Sequence, residues 1–167
     1  MPSELTGSAL DAFLDIQGIK GESSDASHRD QIELLSFSWG IAQRRSETEG
    51  SGRAPDFAEL VVEKVVDVSS PDLYRYCALG KRIPKATLDL CTAAGEKRSI
   101  LKIELEGVMV SRVELSDKVD LSGPPRPVET VHLRYETIAW TYHRLDHTGR
   151  EKGAVTRGWD LKRNAPK

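Results

Sequence analysis

One stretch of this chain carries helix signals that agree with one another, and its isolation constrains everything around it. The stretch is Val68-Ser69-Ser70-Pro71-Asp72-Leu73-Tyr74-Arg75-Tyr76-Cys77-Ala78-Leu79-Gly80-Lys81-Arg82. Ser69 or Ser70 can accept a bond from an orphan amide at the helix start, and Pro71 suits the first helical position. Asp72 favours the positive end of the dipole, Gly80 supplies the stop, and Lys81 and Arg82 follow at the negative end. Leu73, Tyr76 and Cys77 fall on one face, so the helix packs one side onto something. The flanking sequence has strand character, which predicts one short helix clipped onto a mostly β protein.

The strand patterns begin at Ala12-Phe13-Leu14-Asp15-Ile16, with Ala12, Leu14 and Ile16 on one face. Gly18 to Arg29 is polar and turn-rich. From Gln31 to Ile41, Leu35, Phe37, Trp39 and Ile41 share a face expected to look into a core, opposite Ser36 and Ser38. Arg44 to Asp56 has no apolar residue except Ala54 and predicts a long extended loop. Phe57 to Val68 alternates, with Leu60, Val62, Val66 and Val68 on one parity. Beyond the helix, Ala86, Leu88 and Leu90 lead through a turn at Ala93 to Lys97 into Leu101, Ile103 and Leu105, a hairpin pattern. Near Glu106-Gly107 the apolar parity switches towards Val108 and Val110, as a bulge produces.

The prolines and glycine between Ser116 and Thr130 argue against regular structure there. Val131 to Arg144 changes its apolar parity midway, from Val131, Leu133 and Tyr135 to Ile138, Trp140 and Tyr142. A strand that bends between two sheets, or wraps a barrel, does this. Asp146 to Gly149 makes a turn, and Gly158 to Leu161 suggests a last short strand before a basic end. The fold class expected is mainly β: a compact antiparallel barrel or sandwich with a helix at about 70–80 and the extended loop at about 44–56.

A length of 167 residues fits a single domain over 1–167, with 1–10 expected as a flexible leader. The net charge of −2 argues against a nucleic-acid binder. No apolar run spans a bilayer, and Met1 to Ser8 lacks the basic start and apolar core of a Sec signal. The chain is therefore expected to be cytoplasmic on synthesis. Cys77 and Cys91 lack CxxC spacing and are expected as buried thiols.

Catalytic and metal motifs are missing from the pattern: no GxGxxG, P-loop, HExxH or GxSxG is present. Neither cysteine pairs with a histidine at a motif spacing. His132 and His143 lie on opposite parities, and His143 and His147 straddle a turn with Asp146, where exposed polar groups are the simpler account. Glu22, Asp25 and Asp30 lack EF-hand spacing and suggest a solvated loop. Trp39 and Trp140 lie on apolar parities, so with Trp159 they suit core packing better than a stacking platform. No catalytic residue, cofactor or metal is expected.

At Gly21-Glu22-Ser23-x-Asp25-x-x-His28, followed by Ile32-Glu33-x-x-Ser36-Phe37-Ser38-Trp39-Gly40, the chain resembles the Hcp (haemolysin-coregulated protein) family of bacterial type VI secretion. The likeness continues through Val65-Val66-Asp67, Ser70-Pro71-x-Leu73, Gly80-Lys81, Leu105-x-x-Val108-x-Val110-Ser111, Ile138-x-Trp140-x-Tyr142 and Gly158-Trp159-x-Leu161-x-x-Asn164. The resemblance implies a β-barrel with one helix and a homo-hexameric ring. It further implies rings stacked into the inner tube that a contractile sheath expels. Expected partners are the sheath, the spike-tip protein, baseplate components and small effector proteins in the lumen, with secretion through the machine and no membrane insertion. Within that frame, Ser36, Ser38, Ser111 and Arg112 are expected to face the lumen. Arg44, Arg45, Glu47, Glu49, Arg53 and Asp56 are expected in a ring-stacking loop. A phage or related contractile tail tube, and a small β-barrel ligand-binding module, are the alternatives.

Overall fold

The computed structural model describes residues 10–44, 54–93 and 96–167. Its strands in chain order are β1 (Leu10–Ile16), β2 (Ile32–Glu33), β3 (Ser36–Ser38), β4 (Ile41–Ala42), β5 (Asp56–Phe57) and β6 (Leu60–Val65). The helix α1 (Ser70–Leu79) follows, then β7 (Arg82–Thr92), β8 (Ser99–Asp120), β9 (Arg126–Arg134), β10 (Thr137–Leu145), β11 (Glu151–Asp160) and β12 (Ala165–Pro166). The expected mainly β, antiparallel architecture with one short helix is what the described residues adopt.

The 22-residue β8 is the spine. One edge carries β7, while the other carries β10 along its first part and β9 along its last. One wing of the sheet runs β8-β7-β1-β2, and the other runs β8-β9-β6-β3. β2 and β3 are separated only by Leu34 and Leu35, whose amides donate to the Ala12 and Glu63 carbonyls respectively. The two ends of the strongly bent sheet are thus joined by two residues of continuous chain. Leu14, Ile16, Leu60, Val62, Leu88, Leu105, Val131, Leu133 and Ile138 fill the space between the wings.

The parity switch near Glu106-Gly107 marks the point where β8 exchanges β10 for β9. Gly107 has φ +61°, and a side chain there would collide with the Glu136 carboxylate, so glycine meets both demands. The Val131–Arg144 pattern is correspondingly two collinear strands, broken at Tyr135-Glu136, and its buried face changes across that break. Tyr142, expected inward, is exposed.

Other expectations are corrected. Leu10, expected in the 1–10 leader, belongs to β1, and residues 1–9 lie outside the described set. The Gln31–Ile41 strand is three short pieces, and Leu35, Phe37 and Ile41 stand at the surface; only Trp39 packs against the core. Of the Arg44–Asp56 loop, Asp56 is in β5, which pairs with β4, and 45–53 lie outside the described residues. Ser116–Thr130 is largely regular: β8 and β9 extend as a hairpin through Asp120↔Arg126, and the prolines interrupt it only around 121–125. At the tail, β11 is ten residues long, and β12 follows it.

The helix stands where it was expected, but its start is secured differently. Neither serine caps with its side chain; the Asp67 carboxylate accepts from the Ser69 amide at 2.8 Å, and the Ser70 hydroxyl accepts from the Asp67 amide at 3.0 Å. Gly80 closes the helix at φ +60°. Leu73 is fully buried, with Tyr76 and Cys77 packed beside it, and α1 lies against β8.

Candidate functional site

Two surfaces and two buried clusters bear on function. The first surface is the edge at β3 and β4. Phe37 pairs with Val62, so its side chain shares the core-side face, yet it remains 41% exposed. Leu35, Phe37 and Ile41 are 51%, 41% and 50% exposed. Three large apolar side chains beside an edge strand are characteristic of a contact surface rather than of solvated sheet. A second apolar group, Leu115, Val119 and Leu121, is exposed along the β8–β9 hairpin and its tip.

The second surface is the outer face of β3-β6-β9-β8. Cross-strand partners share a face, so the registers place Ser38, Val61, His132 and Arg112 in one row and Ser36, Glu63, Thr130 and Glu114 in the next. Three of the four residues expected on the lumen therefore do share a face. That face is richer in charge than a hydroxyl-lined wall. Ser36 donates to Glu63 at 2.7 Å, Lys118 approaches Glu63 at 3.6 Å, and Arg112 pairs with Glu114. Ser111 sits in the bulge between Val110 and Arg112 and donates to Glu59 at 3.0 Å. Donation from Ser36 holds the Glu63 carboxyl below its usual range. At the base of the expected stacking loop, Arg44 donates to Asp56 at 2.6 Å. Arg45, Glu47, Glu49 and Arg53 lie outside the described residues.

The first buried cluster anchors α1. Lys64 follows the inward parity of Leu60 and Val62 and was passed over in the sequence because a lysine interrupts an apolar pattern. It is 1% exposed, and its ammonium meets Glu129 at 2.5 Å, Asp67 at 3.0 Å and the Val65 carbonyl at 2.9 Å. Glu129, fully buried, also accepts from Ser70 and Tyr74, each at 2.5 Å. Burial, then the bond to Glu129, pushes the Tyr74 phenol up to about 12.

The second cluster lies under the 21–31 segment, which folds over the outer face of β1 and β7. Gly21 is obligatory, because any side chain would strike the Gln31 backbone. Ser23 and His28 are buried, and His28 stacks on Phe13 with ring centroids 4.0 Å apart and planes 6° from parallel. Asp25, expected in a solvated loop, instead faces His28 Nδ1 at 2.6 Å and Lys97 at 3.0 Å, and these hold its carboxyl down at about 2. Asp89 meets His28 Nε2 at 2.8 Å, and Cys91 Sγ lies 3.6 Å from the same nitrogen. The Cys–His proximity that spacing did not reveal is created by β7. It is not the arrangement of a nucleophile: burial, then Asp89, pushes the Cys91 thiol up to about 12, and Asp89 occupies the nitrogen that would accept its proton. Both cysteines are free thiols, Cys91 buried and Cys77 half-buried.

The tryptophans do pack rather than present. Trp39, Phe57, Trp140 and Trp159 form one partly buried aromatic group, in which Trp39 and Trp140 lie 5.7 Å apart and Trp39 donates to Tyr135 at 2.7 Å. His143 pairs with Glu151 at 3.1 Å, and Asp146 caps its own turn through Thr148 and Arg150. A cleft of about 570 Å³ is lined by Asp15, Lys20, Arg29, Asp30 and Lys85 among others, unlike the apolar pocket of a ligand-carrying barrel. No helix among the described residues is long and apolar enough to cross a membrane.

A family profile described as type VI secretion system effector, Hcp, matches residues 13–142. Protein hcp1 of Pseudomonas aeruginosa is 33% identical over 161 residues, spanning 93% of this chain and 98% of that protein. The crystal structure of Hcp1 from Salmonella typhimurium is similar at a TM-score of 0.79 and 35% identity, covering 96% of this chain and 100% of its own. A structure described as that of a type six secretion system protein reaches a TM-score of 0.84 at 29% identity, over 95% and 99% of the two chains. With the bent antiparallel sheet, its one flanking helix and the matched motifs, these similarities identify the chain as a member of the Hcp family of type VI secretion proteins.

Proposed function

We propose that this Hcp protein acts as a non-catalytic tube subunit. It forms homo-hexameric rings that stack into the inner tube of the type VI machine, leaves the cell with that tube, and carries small effectors in its lumen. Sheath, spike-tip and baseplate proteins are its partners in that assembly. The observation that carries the reading is the half-exposed apolar group of Leu35, Phe37 and Ile41 at the β3 edge. A ring closes through a heterologous contact, which needs two different faces that fit each other. The exposed Leu115, Val119 and Leu121 supply an apolar second face.

The polar face bearing Ser36, Ser38 and Arg112 suits a lumen wall, because paired charges and hydroxyls offer a cargo no large apolar patch to adhere to. The segment from Arg44 to Asp56 suits ring stacking by its run of charges of both signs, and its two described ends, Arg44 and Asp56, meet beside the β4–β5 ladder. The test is sedimentation of Phe37→Glu beside the unmodified protein. The substitution should convert rings into folded monomers with unchanged circular dichroism; rings that persist would exclude this edge from the subunit contact.

A further inference from the structure

We propose that His28, Asp89 and Cys91 form a binding site for one transition-metal ion of the zinc class in each subunit, with Asp25 as the outer partner of the histidine. Three side chains offer one nitrogen, one oxygen and one sulfur, all within 4.8 Å of one another and all buried. Imidazole, carboxylate and thiolate are the donor types that zinc and cobalt take together. In a tetrahedral zinc site, bond lengths of about 2.0–2.3 Å set the donors roughly 3.3–3.8 Å apart. His28 Nε2 and Cys91 Sγ already lie at 3.6 Å, and Nε2 and Asp89 Oδ2 at 2.8 Å need only part slightly.

The surroundings are organised as outer partners of a metal site are. Asp25 Oδ2 faces Nδ1 at 2.6 Å, which fixes the ring so that Nε2 points at Asp89 and Cys91. Phe13 stacked on the imidazole holds its plane. Ser99 donates to the second oxygen of Asp89 at 2.5 Å, leaving Oδ2 to turn towards the ion. Lys97, at 3.0 Å from both Asp25 and Asp11, balances the negative charge gathered there. A cleft of about 230 Å³ that includes Ser27, Gln31 and Glu104 reaches His28 and Asp89 and gives water a route to the fourth coordination position. Binding of the ion by the thiolate releases the Cys91 thiol proton to solvent. The site lies within one subunit and does not depend on ring formation.

Cobalt(II) is the probe, because a thiolate ligand gives it a near-ultraviolet charge-transfer band and tetrahedral ligation gives it intense visible bands. The full chain, reduced and stripped with a chelator, should develop both bands with an endpoint of one cobalt per chain, and zinc should abolish them. Cys77→Ser should keep the bands and Cys91→Ser should lose the charge-transfer band. Asp25→Asn should lower the zinc affinity by about 10- to 100-fold. Failure of the unmodified chain to develop a thiolate band would overturn the proposal. So would a band that survives Cys91→Ser or disappears in Cys77→Ser.

Discussion

The two buried ionic clusters use similar residues to different ends. Beneath α1, Lys64, Glu129, Asp67, Ser70 and Tyr74 commit to one another, and both oxygens of Glu129 accept hydrogen bonds. Lys64 and Glu129 face each other across β6 and β9, so the pair fixes where the helix start sits on the sheet. Buried pairs of this kind contribute little net stability over an apolar replacement, but a half-broken pair is costly. Beneath the 21–31 segment, His28 stands between two carboxylates beside a thiol, with a cleft adjoining. The first network ties a helix to the sheet; the second ties the 21–31 segment to β1 and β7.

The difference can be broken most forcefully at Glu129. Glu129→Ala leaves the Lys64 ammonium buried without its main partner and should lower unfolding stability by about 3–5 kcal/mol in urea titration. Lys64→Met combined with Glu129→Leu should recover most of that loss. A double variant as unstable as the single one would show that the network contributes net stability of its own. Gly21→Ala acts on the other cluster and should cost about 1–3 kcal/mol through a backbone collision. Hydrogen exchange should locate the loss in 21–31 while the amides of α1 stay protected; a loss spread over both regions would mean that the clusters are coupled. The smallest expected effect is alkaline. The folded state favours the neutral Tyr74 phenol, so its contribution is complete below about pH 10 and lost as pH rises through about 12. Tyr74→Phe should therefore lose less stability than the unmodified protein across that window, and equal losses would remove Tyr74 from the buried network.

Much of the fold was legible because most of its strands bury one face. The alternation at Leu60-Val62 and Leu88-Leu90, the parity switch at Gly107 and the serine-proline start of α1 each report local geometry that the residues themselves impose. The edge strand was misplaced for a physical reason. Leu35, Phe37 and Ile41 obey the inward parity, and sequence cannot distinguish a residue covered by its own chain from one suited to a neighbouring chain. Lys64 was missed because burial of a lysine depends on Glu129, which lies 65 positions away. The His28 cluster was visible only by halves. The Gly21–His28 motif stood out, but the Asp89 and Cys91 that complete its surroundings come from another strand, and no spacing along the chain encodes that meeting.

Native mass spectrometry of the unmodified chain, paired with negative-stain imaging, tests the tube account most directly. Six-subunit assemblies that appear as rings with an open centre are the predicted result. A monomer persisting across micromolar concentrations would contradict it and leave the apolar edge at Leu35, Phe37 and Ile41 without the neighbour that the account assigns to it.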